Sequence, residues 1–209
     1  MNIDAMHRLP DGRRLGYASH GMPDGRPILY CHGTPGSRLS ITPAMARTAR
    51  ELGAWLIAPD RPGYGRSDPQ PGRSLADWCL DVANLMDGLG VARFGVLGYS
   101  SGTVYALSCA GLLRERVTSA SLLGSLVPNL LAPELAEVMA PAVLGTLTLA
   151  RDDPEQLRQR FAPFSQAPEQ LFQLLAGSFA PVDQPVLAQP EVADAFRRDC
   201  RERDRKSVV

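Results

Sequence analysis

A serine ends a short apolar run in Phe94-Gly95-Val96-Leu97-Gly98-Tyr99-Ser100-Ser101-Gly102, with glycine two residues away on either side. A serine hydroxyl attacks a carbonyl well only when a base takes its proton and donors hold the oxyanion that forms. Gly-x-Ser-x-Gly alone is a weak pattern, because Gly and Ser are common in loops. Its context carries more: an apolar strand directly before it and a helix directly after it are what a nucleophile elbow requires. Such a turn holds the serine in strained backbone at the carboxyl end of a sheet, and the helix behind it offers unpaired N–H groups to an anion. The plainer alternative is a Gly-rich turn that binds a phosphate or caps a helix. A second stretch, His32-Gly33-Thr34-Pro35-Gly36, also follows a buried apolar run. Its small residues let the backbone fold toward the serine, so that the N–H of Thr34 can pair with that of Ser101 as an oxyanion hole.

The base is harder to find. The chain has three histidines, His7, His20 and His32, and all precede Ser100. Only His32 belongs to a strand expected beside the one that carries Ser100, and a lone buried histidine is more often structural than catalytic. His7 and His20 fall on the opening hairpin and are expected at the surface. Asp60, in a loop after a strand, and Asp183, farther along, are the carboxylates considered as partners, and neither has a histidine to orient.

Alternating strands and helices must position these groups. Arg8 to Tyr17 alternates around Asp11-Gly12 and predicts a hairpin. Pro27–Cys31, Trp55–Ala58 and Phe94–Leu97 are short apolar runs suited to buried parallel strands, followed by a further strand over 120–127. Helices are predicted over 40–52, behind a Ser74/Asp77 capping box along an apolar face from Leu75 to Leu89 that ends near Gly88 and Gly90, and over about 102–111. This order implies an α/β fold, a mostly parallel sheet covered on both faces, opened by an antiparallel N-terminal hairpin. Beyond Pro128 the segments 133–150, 154–162, 167–178 and 191–198 read as helical, with no clear strand. The leucines and phenylalanines of 139–179 could line a pocket, although periodic apolar residues more often simply pack.

Composition narrows the partners. Lys+Arg and Asp+Glu both count 22, so no net field draws the chain toward nucleic acid or anionic lipid. No window is apolar enough to span a bilayer and the N-terminus lacks a signal-peptide pattern, so a soluble, cytoplasmic chain is expected. Cys31, Cys79, Cys109 and Cys200 are widely spaced, which predicts reduced thiols rather than disulfides or a zinc site.

Together YCHGTPGSR, APDRPGYGRSD and VLGYSSG stand in the order of the oxyanion loop, the loop after the fourth strand and the nucleophile elbow of the α/β-hydrolase superfamily, which the chain resembles from residue 8 to about 128. The resemblance implies Ser100 as nucleophile, backbone oxyanion donors at Thr34 and Ser101, and supporting or pocket roles for His32, Gly33 and Tyr99. It implies two regions, a core over 1–128 and a helical cap over 129–209. Because relatives with dehalogenase or epoxide-hydrolase activity carry aspartate at the nucleophile position, Ser100 points instead to a small ester, thioester, lactone or amide cleaved through an acyl-enzyme. No metal or cofactor is called for. Relatives supply the triad acid and histidine from strands after the cap, and DCRERDRKSVV offers no such strand. The expectation is therefore a chain that stops inside the cap with the final strands missing, leaving an inactive fragment or a non-catalytic small-molecule-binding protein as alternatives.

Overall fold

The computed structural model describes residues 4–125, 137, 139 and 141–202. Strands β1 (Ala5–Arg8) and β2 (Arg14–Gly21) form the expected hairpin, with Leu9 N–H donating to Arg13 O across the Asp11-Gly12 turn. They join β3 (Arg26–Cys31), β4 (Ala54–Pro59), β5 (Phe94–Tyr99) and β6 (Val117–Leu123) in one sheet of order β1-β2-β4-β3-β5-β6. The first two strands run antiparallel, while β4, β3, β5 and β6 run parallel. The order sets β3 beside β5, so the loops after these two strands meet at one end of the sheet.

Three helices cover the sheet. Helix α1 (Pro43–Glu51) begins later than the expected residue 40, because residues 38–40 form a separate 3-10 turn and Thr42 caps Pro43. Leu52, the last residue of the expected helix, is instead its exposed C-terminal cap residue. Helix α2 (Leu75–Gly88) starts at the Ser74/Asp77 capping box and buries Trp78, Val82, Leu85 and Met86 against Leu29, Ile57 and Phe94 of the sheet. Helix α3 (Gly102–Leu112) packs on the same side through Ala106 and Cys109, and α1 closes the other side over Tyr30, Leu56 and Ala58.

Strand β6 departs from expectation. It begins at Val117 and ends at Leu123, three to four residues earlier than read from the sequence, and Thr118 to Leu123 are exposed. Among the described residues the sheet is therefore covered on both faces in its middle, and no strand pairs the outer edge of β6. The end of the strand expected at Val127 and the start of the 133–150 helix lie outside the described residues.

After β6 the described elements are helical: α4 (Pro141–Asp152), α5 (Pro154–Phe161), α6 (Pro168–Ala176), α7 (Gln184–Leu187) and α8 (Pro190–Glu202). Proline in the first turn of each costs no hydrogen bond, since that N–H has no intrahelical acceptor. Helices α6 and α8 share a cluster of their own, built on Leu171, Phe172, Ala193 and Cys200. The apolar stretch of this region packs with itself: Phe161, Phe164 and Leu175 lie against that cluster. All four cysteines are buried thiols outside any disulfide. Among the described residues no helix is long and apolar enough to cross a membrane.

Candidate active site

The tight passage from β5 to α3 puts Ser100 at φ 52°, the single non-glycine residue with positive φ among the described residues. A non-glycine residue in this region is strained, and such strain persists where surrounding structure over-determines it. Here the constraint is visible. Ser100 N–H donates to Leu123 O of β6 at 2.9 Å, Ser100 O accepts from Thr103 N and Oγ1, and Gly102 begins α3 directly against β3. A Cβ on Gly102 would stand 2.0 Å from Cys31 O, so only glycine lets the helix approach this closely.

The loop after β3 lies against the same turn. A Cβ on Gly33 would be 3.1 Å from Ser100 Cβ, and Ser101 Oγ is hydrogen-bonded to Thr34 Oγ1 at 3.0 Å. Ser100, Ser101, Gly33 and Thr34 are thus brought together, and Tyr99, 48% exposed, flanks Gly33 at the rim. Among the described residues nothing hydrogen-bonds to Ser100 Oγ, to Thr34 N–H or to Ser101 N–H. Two backbone donors and a hydroxyl without a described partner thus lie beside a helix N-terminus, where partial positive charge favours an anion.

His32 is fully buried beneath this loop, and both ring nitrogens are engaged. Nδ1 pairs with Gly33 O at 2.9 Å and Nε2 accepts from Arg61 N–H at 3.1 Å, which fixes the neutral tautomer protonated at Nδ1. Burial, reinforced by the nearby Arg61 charge, holds its pKa well below the ordinary 6.5. The other histidines are not simple surface residues. His7 Nε2 bonds Asn84 Oδ1 at 2.8 Å, and His20 is half-buried with Nε2 unpartnered, burial pushing its pKa down.

Asp60 serves the local loop. Its carboxylate accepts from Arg38 N–H at 2.6 Å, Arg66 N–H at 2.9 Å and Arg38 Nη1 at 3.0 Å, although burial outweighs these bonds and raises its pKa. Asp183 lies exposed in a short turn before α7. Arg61 does something the sequence did not announce. Its Nη2 donates to Gly33 O at 2.9 Å and to Thr34 Oγ1 at 2.7 Å, while its guanidinium is stacked between Tyr64 and Tyr105 at 4.4 and 4.6 Å from their ring centroids. A buried cation thereby braces the His32–Gly36 loop from below. The bond spans 27 residues of sequence, so no local spacing could have marked it.

Comparison with known proteins agrees with this architecture. The alpha/beta hydrolase fold family matches residues 26–202. An uncharacterized hydrolase, YcgS, of Bacillus subtilis (strain 168) is 32% identical over 135 residues, which is 64% of this chain and 46% of that protein. A proline iminopeptidase of Xylella fastidiosa (strain 9a5c) is 32% identical over 117 residues, 54% of this chain and 37% of that one. The crystal structure of a hydrolase from Pseudomonas aeruginosa PA01 superposes with a TM-score of 0.69 at 21% identity, covering 98% of this chain and 69% of its own. The chain spans less than half the length of these two curated relatives. With the sheet order, the strained serine turn and a match over most of its length, the chain belongs to the alpha/beta hydrolase fold family.

Proposed function

We propose that the chain is a serine hydrolase that cleaves a small ester, thioester, lactone or amide through an acyl-enzyme on Ser100, with the helices after β6 acting as a cap. The observation that carries this reading is Ser100 at φ 52° on the β5–α3 turn, with Gly33 and Thr34 seated beside it. In this reading Ser100 Oγ bonds to the substrate carbonyl carbon and the carbonyl electrons move onto oxygen, which the N–H groups of Thr34 and Ser101 receive. Collapse breaks the bond to the leaving group, which takes the proton removed from Ser100. Water then repeats the sequence to release the acid. Amide cleavage is in keeping with the name of the iminopeptidase relative.

The proton needs a carrier, and none of the three histidines fits that role: His32 uses both nitrogens, and His7 and His20 sit on the opening hairpin. A second reading is a small-molecule-binding protein that keeps the site without the chemistry. Hydrolysis of a short-chain nitrophenyl ester by the 209-residue chain, beside Ser100→Ala and with or without added imidazole, separates the two. Loss of the base from a triad can remove about six orders of magnitude in turnover, so without imidazole the two proteins should be nearly alike. With imidazole as external base, the hydrolase reading expects a Ser100-dependent rate and an acyl adduct on Ser100 by mass spectrometry. No adduct, together with ligand binding unchanged in Ser100→Ala, would favour the binding protein.

A further inference from the structure

Helix α8 is fastened to the stretch that follows the His32–Gly36 loop by four of its side chains. Glu191 Oε1 accepts from Ala44 N–H at 3.1 Å, and Arg198 Nη2 donates to Leu39 O at 2.9 Å. Glu202 Oε2 accepts from Arg38 Nη1 at 3.2 Å. Between them Asp199, 9% exposed, accepts from Ser37 Oγ at 3.1 Å and from Ser40 Oγ at 2.7 Å. These two serines already cap the turn at 38–40, since Ser37 Oγ accepts from Leu39 N–H and Ser40 Oγ from Ser37 N–H. Each hydroxyl therefore has its proton left to give, and both protons go to one carboxyl group. That group cross-links the two ends of the turn.

The turn is in register with the site through Gly36. A Cβ there would stand 2.8 Å from Gly33 O, 3.2 Å from His32 Nδ1 and 3.2 Å from Ser40 Oγ, so Gly36 is packed between the loop and the serine that Asp199 holds. A shift of Ser40 is passed on to Gly33, which lies against Ser100. Resting on the hydrolase reading, we infer that Asp199 is a positioning residue: by holding Ser37 and Ser40 it sets the loop that aims Thr34 N–H at the oxyanion.

The same contact is built to respond to pH. Facing Asp199 are Ser37 and Ser40 from the turn, Tyr30 from β3, Asp60 after β4 and Arg198 from its own helix, while Arg38 of the turn pairs with Asp60 and Glu202. Burial, with the Asp60 charge adding to it, pushes the Asp199 carboxyl up to about 7 against the pull of the serine hydroxyls and Arg198. Because the folded value is raised, the docking it contributes is fully present below the ordinary carboxylate range and is lost as pH rises through about 7.

Amide hydrogen exchange over residues 33–44, corrected for intrinsic exchange and read at pH 6 and pH 8, tests the inference in the full chain, Asp199→Ala and Asp199→Asn. Exchange should rise several-fold in the wild type between the two pH values. It should be faster by about tenfold or more in Asp199→Ala at pH 6, and stay near the wild-type pH 6 level at both pH values in Asp199→Asn, which cannot ionise. Protection in 33–44 that is the same in Asp199→Ala as in the wild type at pH 6 would overturn it. So would an Asp199→Asn protein with the wild-type pH response, which decides the matter even if Asp199→Ala does not fold. The imidazole-supported ester assay on the same proteins keeps the readings apart: altered loop exchange with no Ser100-dependent turnover in any variant leaves the link from Asp199 to the loop standing and counts against the hydrolase.

Discussion

His32 belongs to the scaffold because of what its two nitrogens already do. Protonating Nε2 would remove the acceptor for Arg61 N–H and set a second cation beside a buried guanidinium, so the neutral ring is strongly preferred. Its folded pKa lies below the unfolded value of 6.5, so the stability it contributes is complete above that pH and lost as pH falls toward the folded value. The urea midpoint of the wild type should consequently fall between pH 7 and pH 5 more steeply than that of His32→Leu. At pH 7 the variant should itself be less stable by about 1–3 kcal/mol, the cost of leaving the Arg61 amide unsatisfied. Parallel pH slopes for the two proteins would mean that His32 titrates normally. The sequence made His32 a candidate base only because it stands beside the serine strand, and strand adjacency says nothing about which nitrogen is free.

At the level of elements, the candidate site is assembled by α3 starting in contact with the end of β3. Gly102 makes that contact possible, since any side chain there would collide with the backbone of Cys31 and His32, which cannot swing aside as a side-chain tip could. Gly102→Ala should cost about 3 kcal/mol or more, at the upper end for overpacking, because the helix must move off the strand. Gly111, also in α3, has open space where its Cβ would go, so Gly111→Ala should be neutral or gain up to about 1 kcal/mol. Denaturant melts of the pair give the comparison, and similar losses in both would show that α3 can move off β3 at little cost. Much of this geometry was legible beforehand. The run from Phe94 to Gly102 names strand, turn and helix in nine residues, and the Ser74/Asp77 box fixes the start of α2 because caps are local chemistry. What stayed hidden was long-range: the Arg61 brace under Thr34, and the tie from Asp199 to Ser37 across 162 residues, which leave no periodic trace.

Across the whole molecule, the same blindness explains the misreading of β6. Apolar residues from Ala120 onward look like a covered strand, yet whether a strand is covered depends on neighbours in space rather than on its own letters. Here β5 pairs one edge of β6, and the strand from Thr118 to Leu123 is exposed, with Leu107 and Leu112 of α3 also showing surface. Among the described residues no strand pairs the other edge of β6; an unpaired parallel edge with apolar side chains is a template for further pairing, and the chain carries no net charge to keep copies apart. The 209-residue chain should therefore self-associate at micromolar concentrations, and Thr118→Lys with Ala120→Lys should shift it toward monomer. Because both positions are exposed, the melt should change by no more than about 0.5 kcal/mol. Analytical ultracentrifugation of the two proteins reads this directly. A wild type that stays monomeric over the whole range would mean that the β6 edge does not template pairing.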